Sequence, residues 1–183
     1  LTQDSYAVNK TDVVLIHSCA GGVGSLLVQI CKMKGANVIG LTSSNEKRNE
    51  ALVNGCDQVF LYSEDWVQLG KAAHVSAVYE SVGTTLLQSF ETVKETGSVV
   101  FYGFAGGNPP PVDARMLMDG SKKLIGGDLW TYLVSKEERM KRSNLLFDWI
   151  SSGKINIPAP TLFSLKDGRT AHELLESRKS TGK

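Results

Sequence analysis

One stretch near the start of the chain limits its fold more than any other: Asp12-Val-Val-Leu-Ile-His-Ser-Cys-Ala-Gly-Gly-Val-Gly24. An apolar, β-branched run enters a tight glycine turn, and apolar residues at helical spacing leave it (Leu26, Leu27, Ile30, Met33). The order is strand, turn, helix. Glycines at such a turn let the backbone approach a pyrophosphate closely, and the N–H groups of the helix start face its charge. Against the G-x-G-x-x-G template, Gly21 and Gly24 take the second and third glycine positions and Cys19 takes the first. The same glycines would serve a turn that only packs a helix on a sheet. Context favours a nucleotide site, because a second strand, Ala36-Asn-Val-Ile-Gly-Leu-Thr42, arrives where a βαβ unit needs it.

Strand and helix signals then alternate. A polar-faced helix over residues 45–54 ends at Gly55, Gln58-Val-Phe-Leu-Tyr62 reads as a third strand, and Val75-Ser-Ala-Val-Tyr79 as a fourth. A helix over 86–95 stops at Gly97 before a fifth strand, Ser98-Val-Val-Phe-Tyr102. The loop Gly103-Phe-Ala-Gly-Gly-Asn-Pro-Pro-Pro111 breaks the rhythm, because three prolines neither continue a helix nor pair centrally in a sheet. A sixth strand is expected from Lys122, running into a turn near Trp130. A periodic helix follows over 137–151 (Met140, Leu145, Leu146, Trp149, Ile150). Beyond Pro158 and Pro160 remain a short strand, Leu162-Phe-Ser-Leu165, and a helix over 170–178. Strands joined by helices need crossovers, so the expected class is α/β, a doubly wound parallel sheet of six strands.

The 183 residues suffice for one domain with a core, or for a domain and a remnant of another. A formal net charge of +1 gives no argument for nucleic acid or anionic membrane as the main partner. No apolar run reaches bilayer-spanning length, and no signal peptide opens the chain, which begins at Leu1 like a piece of something longer. Cys19, Cys31 and Cys56 lack C-x-x-C spacing, and His17, His74 and His172 are scattered. Neither set indicates a zinc site or a disulfide framework, so the expectation is no metal and an intracellular, cytoplasmic protein. Glu64, Asp65 and Glu80 read as solvated or capping groups, and no Ser/His/Asp constellation stands out.

In NAD-binding versions of such a fold, an acid about 20 residues past the glycines holds the ribose 2′-hydroxyl. Here that position falls in Thr42-Ser43-Ser44, with no carboxylate, and Lys47 and Arg48 follow. Hydroxyls and a cation suit a 2′-phosphate, which points to NADPH. Ser43 would at the same time cap the next helix, with Glu46 as its box partner. The missing acid also counts against an S-adenosylmethionine methyltransferase.

As a set, Ala20-Gly-Gly-Val-Gly24 with Gln29, Val38-Ile-Gly40, Thr42-Ser-Ser44, Tyr79-Glu-Ser-Val-Gly83, Gly97, Gly103 and the closing Leu175-Glu-Ser-Arg-Lys-Ser-Thr-Gly-Lys183 resemble the medium-chain dehydrogenase/reductase superfamily. Within it the chain is similar to the zinc-free NADPH quinone oxidoreductases, the zeta-crystallin-like group. The resemblance implies a Rossmann cofactor domain over residues 9–157. Residues 1–8 would then end a preceding domain or form a linker. Residues 158–183 would be a remnant of a GroES-like catalytic domain whose remainder is absent.

The resemblance further implies that Ala20, Gly21, Gly22 and Val23 line the pyrophosphate, and that Ser43, Ser44 and Lys47 hold the 2′-phosphate. Tyr62 would flank the adenosine, Ser81 and Val82 the adenine or ribose, and Tyr102, Gly103 and Ala105 the nicotinamide. Strand alternation could instead turn Tyr102 into the core. Tyr132 is a candidate for the cofactor or substrate pocket, and no residue is assigned as catalytic. Gly126-Gly-Asp128 stands where bacterial quinone reductases carry an arginine-containing turn, so no substrate specificity carries over.

The implied activity is hydride transfer from NADPH to a small-molecule quinone or α,β-unsaturated carbonyl by the full-length protein, with this fragment alone inactive. An enoyl reductase module of fatty-acid or polyketide synthesis, and a non-enzymatic, crystallin-like NADPH-binding protein, remain alternatives. A homodimer through the sixth-strand edge, residues 122–127 from Lys122 to Gly127, is also expected.

Overall fold

The computed structural model describes residues 1–177. The end of the last expected helix at Arg178 and the closing Thr181-Gly-Lys183 lie outside the described residues. The order is β1 (Val13–Ile16), α1 (Gly22–Met33), β2 (Asn37–Thr42), α2 (Asn45–Val53), β3 (Gln58–Leu61), α3 (Trp66–Ala72) and β4 (Ala77–Glu80). Then come α4 (Leu86–Thr92), β5 (Ser98–Phe101), α5 (Ala114–Asp119), β6 (Lys123–Gly126), α6 (Lys136–Ser151), a 3-10 turn (Leu165–Asp167) and α7 (Gly168–Glu176). All six strands run parallel in the order β3-β2-β1-β4-β5-β6. This is the doubly wound α/β sheet expected, and its order reverses between β1 and β4, where such sheets open a crevice.

Strand alternation divides the core in two. Val14, Ile16, Val38, Ala77, Tyr79 and Val100 face one side, where Leu27, Val28 and Cys31 of α1 cover them. Leu15, Ile39, Leu41, Val78 and Val99 face the other, under Trp66 of α3 and Leu86 and Phe90 of α4. Successive side chains point to opposite faces, so a parallel strand covered on both sides must be apolar throughout. Each such fully buried aliphatic side chain contributes about 1.5–3 kcal/mol relative to exposure.

Cys19 in place of the first glycine is accommodated by Gly40 of β2. A Cβ on Gly40 would come 2.5 Å from the Cys19 sulfur and 2.9 Å from the Cys56 sulfur. The side chain lost from β2 makes room for the thiol above it.

Val8 belongs to the α1-side core, and Leu1 and Tyr6 pack against it. The Tyr6 hydroxyl donates to Asp12 (2.9 Å), and Arg142 of α6 pairs with Asp4 (2.9 Å). At the far end, Ile155 is fully buried. The Gln29 side chain bonds the Asn156 backbone on both sides, accepting from its N–H (2.7 Å) and donating to its carbonyl (3.0 Å).

Several expectations are corrected. The strand Leu162-Phe-Ser-Leu165 does not form. Residues 162–164 are irregular and Leu165 opens the 3-10 turn, with Leu162 and Leu165 exposed and no neighbouring strand to pair with them among the described residues. The sixth strand is only Lys123–Gly126, and Lys122 before it turns its ammonium onto the Phe90 carbonyl near the end of α4. Helix α6 buries none of its residues completely, and Met140 and Leu145 of its apolar set are exposed, as is Phe147 beside them. Helices α3 and α5 are additions to the reading. Among the described residues no helix is long and apolar enough to cross a membrane.

Candidate functional site

The loops at the carboxyl ends of the strands line two clefts, the second of them shared with Leu1, Thr2, Asp4 and Ser5 and with the sides of α1 and α6. One, of about 510 Å³, lies over β1, β2, β3 and β4 and is lined by Ala20, Gly21, Ser43, Lys47, Tyr62, Val82 and Ala105 of the expected residues. The second, of about 1030 Å³, opens on the β5–β6 side and takes Val23, Tyr102, Gly103 and Tyr132. Gly22, Ser44 and Ser81 line neither.

Between the clefts stands the start of α1. Its N-cap is Gly21, and no side chain caps the helix, so its first N–H groups are left for a ligand. Gly24 has no room for any side chain: a Cβ would sit 2.2 Å from the Ser18 carbonyl oxygen and 2.9 Å from the Cys19 Cα. The third glycine of the motif therefore presses the helix onto the turn.

At the end of β2 the cap of α2 is Ser44, whose hydroxyl accepts the Lys47 backbone N–H (3.4 Å). Glu46 hydrogen-bonds the same serine, which holds its carboxyl below the usual range. The cap expected on Ser43 thus falls on Ser44, with Lys47 and not Glu46 at the third helical position, so no Ser-x-x-Glu box forms; Ser44 is taken up by the helix while Ser43 lines the cleft. Arg48 is turned away onto Glu64, whose other oxygen accepts the Leu61 N–H (2.9 Å).

The second wall is a pair of loops. After β5, the N–H groups of Ala105 and Gly106 donate to the carbonyls of Ser81 and Val82 (3.0 and 2.8 Å). Gly83 makes this closeness possible: its φ is +90°, and a Cβ there would lie 2.1 Å from the Gly107 carbonyl oxygen. Tyr102 is half-buried against the α1-side core, and burial pushes its phenol up to about 12. It is partly core and partly cleft wall. Tyr132 carries the Arg142 guanidinium over its ring, 5.2 Å from the centroid.

A buried polar network that sequence reasoning missed lies beneath both walls. Glu80, expected to be solvated or capping, is fully buried and does cap, but inside the fold. One oxygen accepts the N–H groups of Val82 (2.6 Å) and Gly83 (3.0 Å); the other accepts the hydroxyls of Thr85 (2.8 Å) and Ser89 (2.7 Å). His17, also fully buried, reaches Ser89 through Nε2 (3.0 Å) and Tyr62 through Nδ1 (3.2 Å). Trp66 meets the imidazole edge-on, with centroids 5.3 Å apart. The available signal was a histidine ending the first strand and a carboxylate ending the fourth, on adjacent strands of a sheet in this order.

Burial pushes Glu80 up, but His17 and the hydrogen bonds from Ser89, Gly83 and Thr85 outweigh it and hold the carboxyl below its ordinary value. Burial pushes His17 down to about 4, against the pull of Glu80. Burial thus favours the neutral imidazole at pH 7, against a Glu80 oxygen that lies 3.3 Å from its Nε2. An unfolded histidine takes up its proton near pH 6.5, the native one only near 4, so in that window the unfolded state binds more protons and acid weakens the fold. The loss of stability between about pH 7 and 5 is expected to be smaller in His17→Asn, measured by urea unfolding at each pH; an equal loss would contradict this.

Among the described residues no cluster of three His, Cys, Asp or Glu side chains could hold a metal ion. The chain matches the family described as zinc-binding dehydrogenase over residues 22–143, and these residues do not fit a zinc site. It is 35% identical to the quinone oxidoreductase of Salmonella typhimurium over 191 residues, covering 100% of this chain and 58% of that protein. It is 31% identical to the 2-haloacrylate reductase of a Burkholderia species, covering 100% of this chain and 57% of that protein. The solved structure of Escherichia coli quinone oxidoreductase complexed with NADPH is similar at a TM-score of 0.91 and 34% identity, over 99% of this chain and 58% of that one. The chain thus spans a little over half the length of these relatives.

Proposed function

Since this chain belongs to the zinc-binding dehydrogenase family, we propose that it is the NADPH-binding part of an oxidoreductase acting on quinones or other α,β-unsaturated carbonyl compounds. The observation that carries the cofactor choice is at the end of β2: Ser43 and Lys47 line the cleft where an NAD-binding fold would place a carboxylate. In this reading residues 9–157 form the cofactor unit, residues 1–8 lead into it, and residues 158–183 return to a second domain.

NADPH, when bound, supplies the hydride, and the acceptor is an electron-poor carbon. The work of this chain is to bind and orient. The uncapped start of α1 and the Gly21–Gly24 turn receive the pyrophosphate, with Ala20, Gly22 and Val23 around it. Ser43 and Lys47 take the 2′-phosphate through a hydroxyl and a cation, while Ser44 keeps α2 in place below them. Tyr62 and Val82 flank the adenosine side, and Tyr102, Gly103 and Ala105 form the wall toward the reacting end. Tyr132 faces the larger cleft with the acceptor.

The test is turnover by the full natural chain: NADPH oxidation that depends on an added quinone, on an enone or on an acyl-thioester enoyl substrate. Turnover of the first two supports the proposal. Turnover of the thioester alone would replace it with an enoyl reductase reading, and NADPH binding without any turnover would replace it with a non-enzymatic one.

A further inference from the structure

Resting on the cofactor reading above, we propose that His17 is a positioning residue: a neutral imidazole, protonated on Nε2, that fixes the cofactor turn by aiming the Tyr62 hydroxyl at its bare Nδ1. The directions of the hydrogen bonds follow from one end. The Glu80 carboxylate only accepts, so the hydroxyls of Thr85 and Ser89 both spend their protons on it. The Ser89 oxygen is then an acceptor toward His17, and Nε2, 3.0 Å away, must carry the imidazole proton. A neutral imidazole so protonated has an unprotonated Nδ1, which accepts the Tyr62 O–H across 3.2 Å. With its proton committed, the Tyr62 oxygen receives the backbone N–H of Ser18 at 3.0 Å.

Ser18 is where this chain of bonds meets the cleft. It is a non-glycine residue at φ +49°, in the left-handed region that a serine enters only when held there. Tyr62 holds its N–H. Its carbonyl receives the Gly21 N–H (2.8 Å) and is the atom against which Gly24 is pressed. The turn that precedes the free N–H groups of α1 therefore hangs from the phenol, and the phenol is oriented by the imidazole. The other oxygen of Glu80 holds the Val82 and Gly83 N–H groups of the opposite wall. One carboxylate thus sets both sides of the cleft, and a protonated His17 would point a second donor at Tyr62 and break the sequence.

The experiment uses the full natural chain, with 15N-labelled histidine, and NADPH titrations of Tyr62→Phe, His17→Leu, His17→Asn and the Tyr62→Phe, His17→Leu double variant. The expected spectrum at neutral pH shows His17 protonated at Nε2 and bare at Nδ1. Tyr62→Phe and His17→Leu should each weaken NADPH about 10-fold, and the double variant no further, because both act through the same N–H. His17→Asn keeps an acceptor beside Tyr62 and should recover most of the loss. An imidazole protonated at Nδ1, unchanged affinity in both single variants, or fully additive losses would overturn the proposal. If the unsubstituted chain bound no NADPH, the cofactor reading would fall on its own. Ser18 amide exchange would then decide for the relay if faster in Tyr62→Phe, and against it if unchanged. Should His17→Leu fail to fold, the spectrum of the unsubstituted chain and the Tyr62→Phe titration still decide.

Discussion

Replacing Gly24 with valine should cost the chain at least about 3 kcal/mol of stability and abolish cofactor binding in whatever remains folded. Even the first carbon of a side chain would stand 2.2 Å from a backbone oxygen, not from the movable end of a neighbouring side chain. That oxygen cannot retreat freely, because Ser18 is tied through its own N–H to Tyr62 and through its carbonyl to Gly21. Alanine at position 24 separates the causes. In an exposed helix, glycine to alanine gains about 1 kcal/mol, so a loss here measures the clash directly. Gly168, at the start of α7, has nothing within 4 Å of its would-be Cβ, and Gly168→Ala is the matched control. Thermal unfolding of the three variants checks this: Gly24→Ala melting as high as Gly168→Ala would contradict it.

Glu80→Ala should destabilise the protein by about 3–5 kcal/mol, a large part of the ordinary stability of a domain. The substitution strands the Gly83 N–H and the Ser89 hydroxyl in the interior, and takes the acceptor from the Val82 N–H and the Thr85 hydroxyl at the cleft wall. It also leaves the Ser89 hydroxyl free to donate toward His17, which unsettles the imidazole proton. The expected result is a large fall in the urea midpoint with little change in slope. A midpoint within the scatter of surface substitutions would mean that these four donors find other partners, and that the network is dispensable.

The parallel sheet was legible because its central strands are apolar on both faces and glycines punctuate the chain: Gly35 and Gly55 follow the ends of α1 and α2, and Gly97 stands just before β5. Reading failed where length or partner decided the outcome. Helix α3 has seven residues and a glycine in its middle, so no period emerges; its one sign is Asp65, whose carboxylate accepts the Gln68 N–H. Helix α5 has six residues, and Asp113 caps it in the same way. Leu162-Phe-Ser-Leu165 carries a strand-like pattern, but a strand exists only by pairing. The cleft was legible in its glycine turn and in Ser43 and Lys47, which line it and are residue types that suit a phosphate. The network under it was not, because a histidine and a glutamate 63 positions apart meet only once the order β1-β4 is known. Charge at the end of a strand reads as solvated by default, and Glu80 departs from that because the turn after β4 aims two N–H groups back at it.

The choice of NADPH rests on what stands at the end of β2, and a calorimetric titration of the full natural chain with NADPH and with NADH tests it most directly. The account predicts NADPH preferred by at least about 10-fold, with Lys47→Ala removing most of that preference and leaving NADH nearly unaffected. Equal affinity for the two cofactors, or a preference that survives Lys47→Ala, would contradict it.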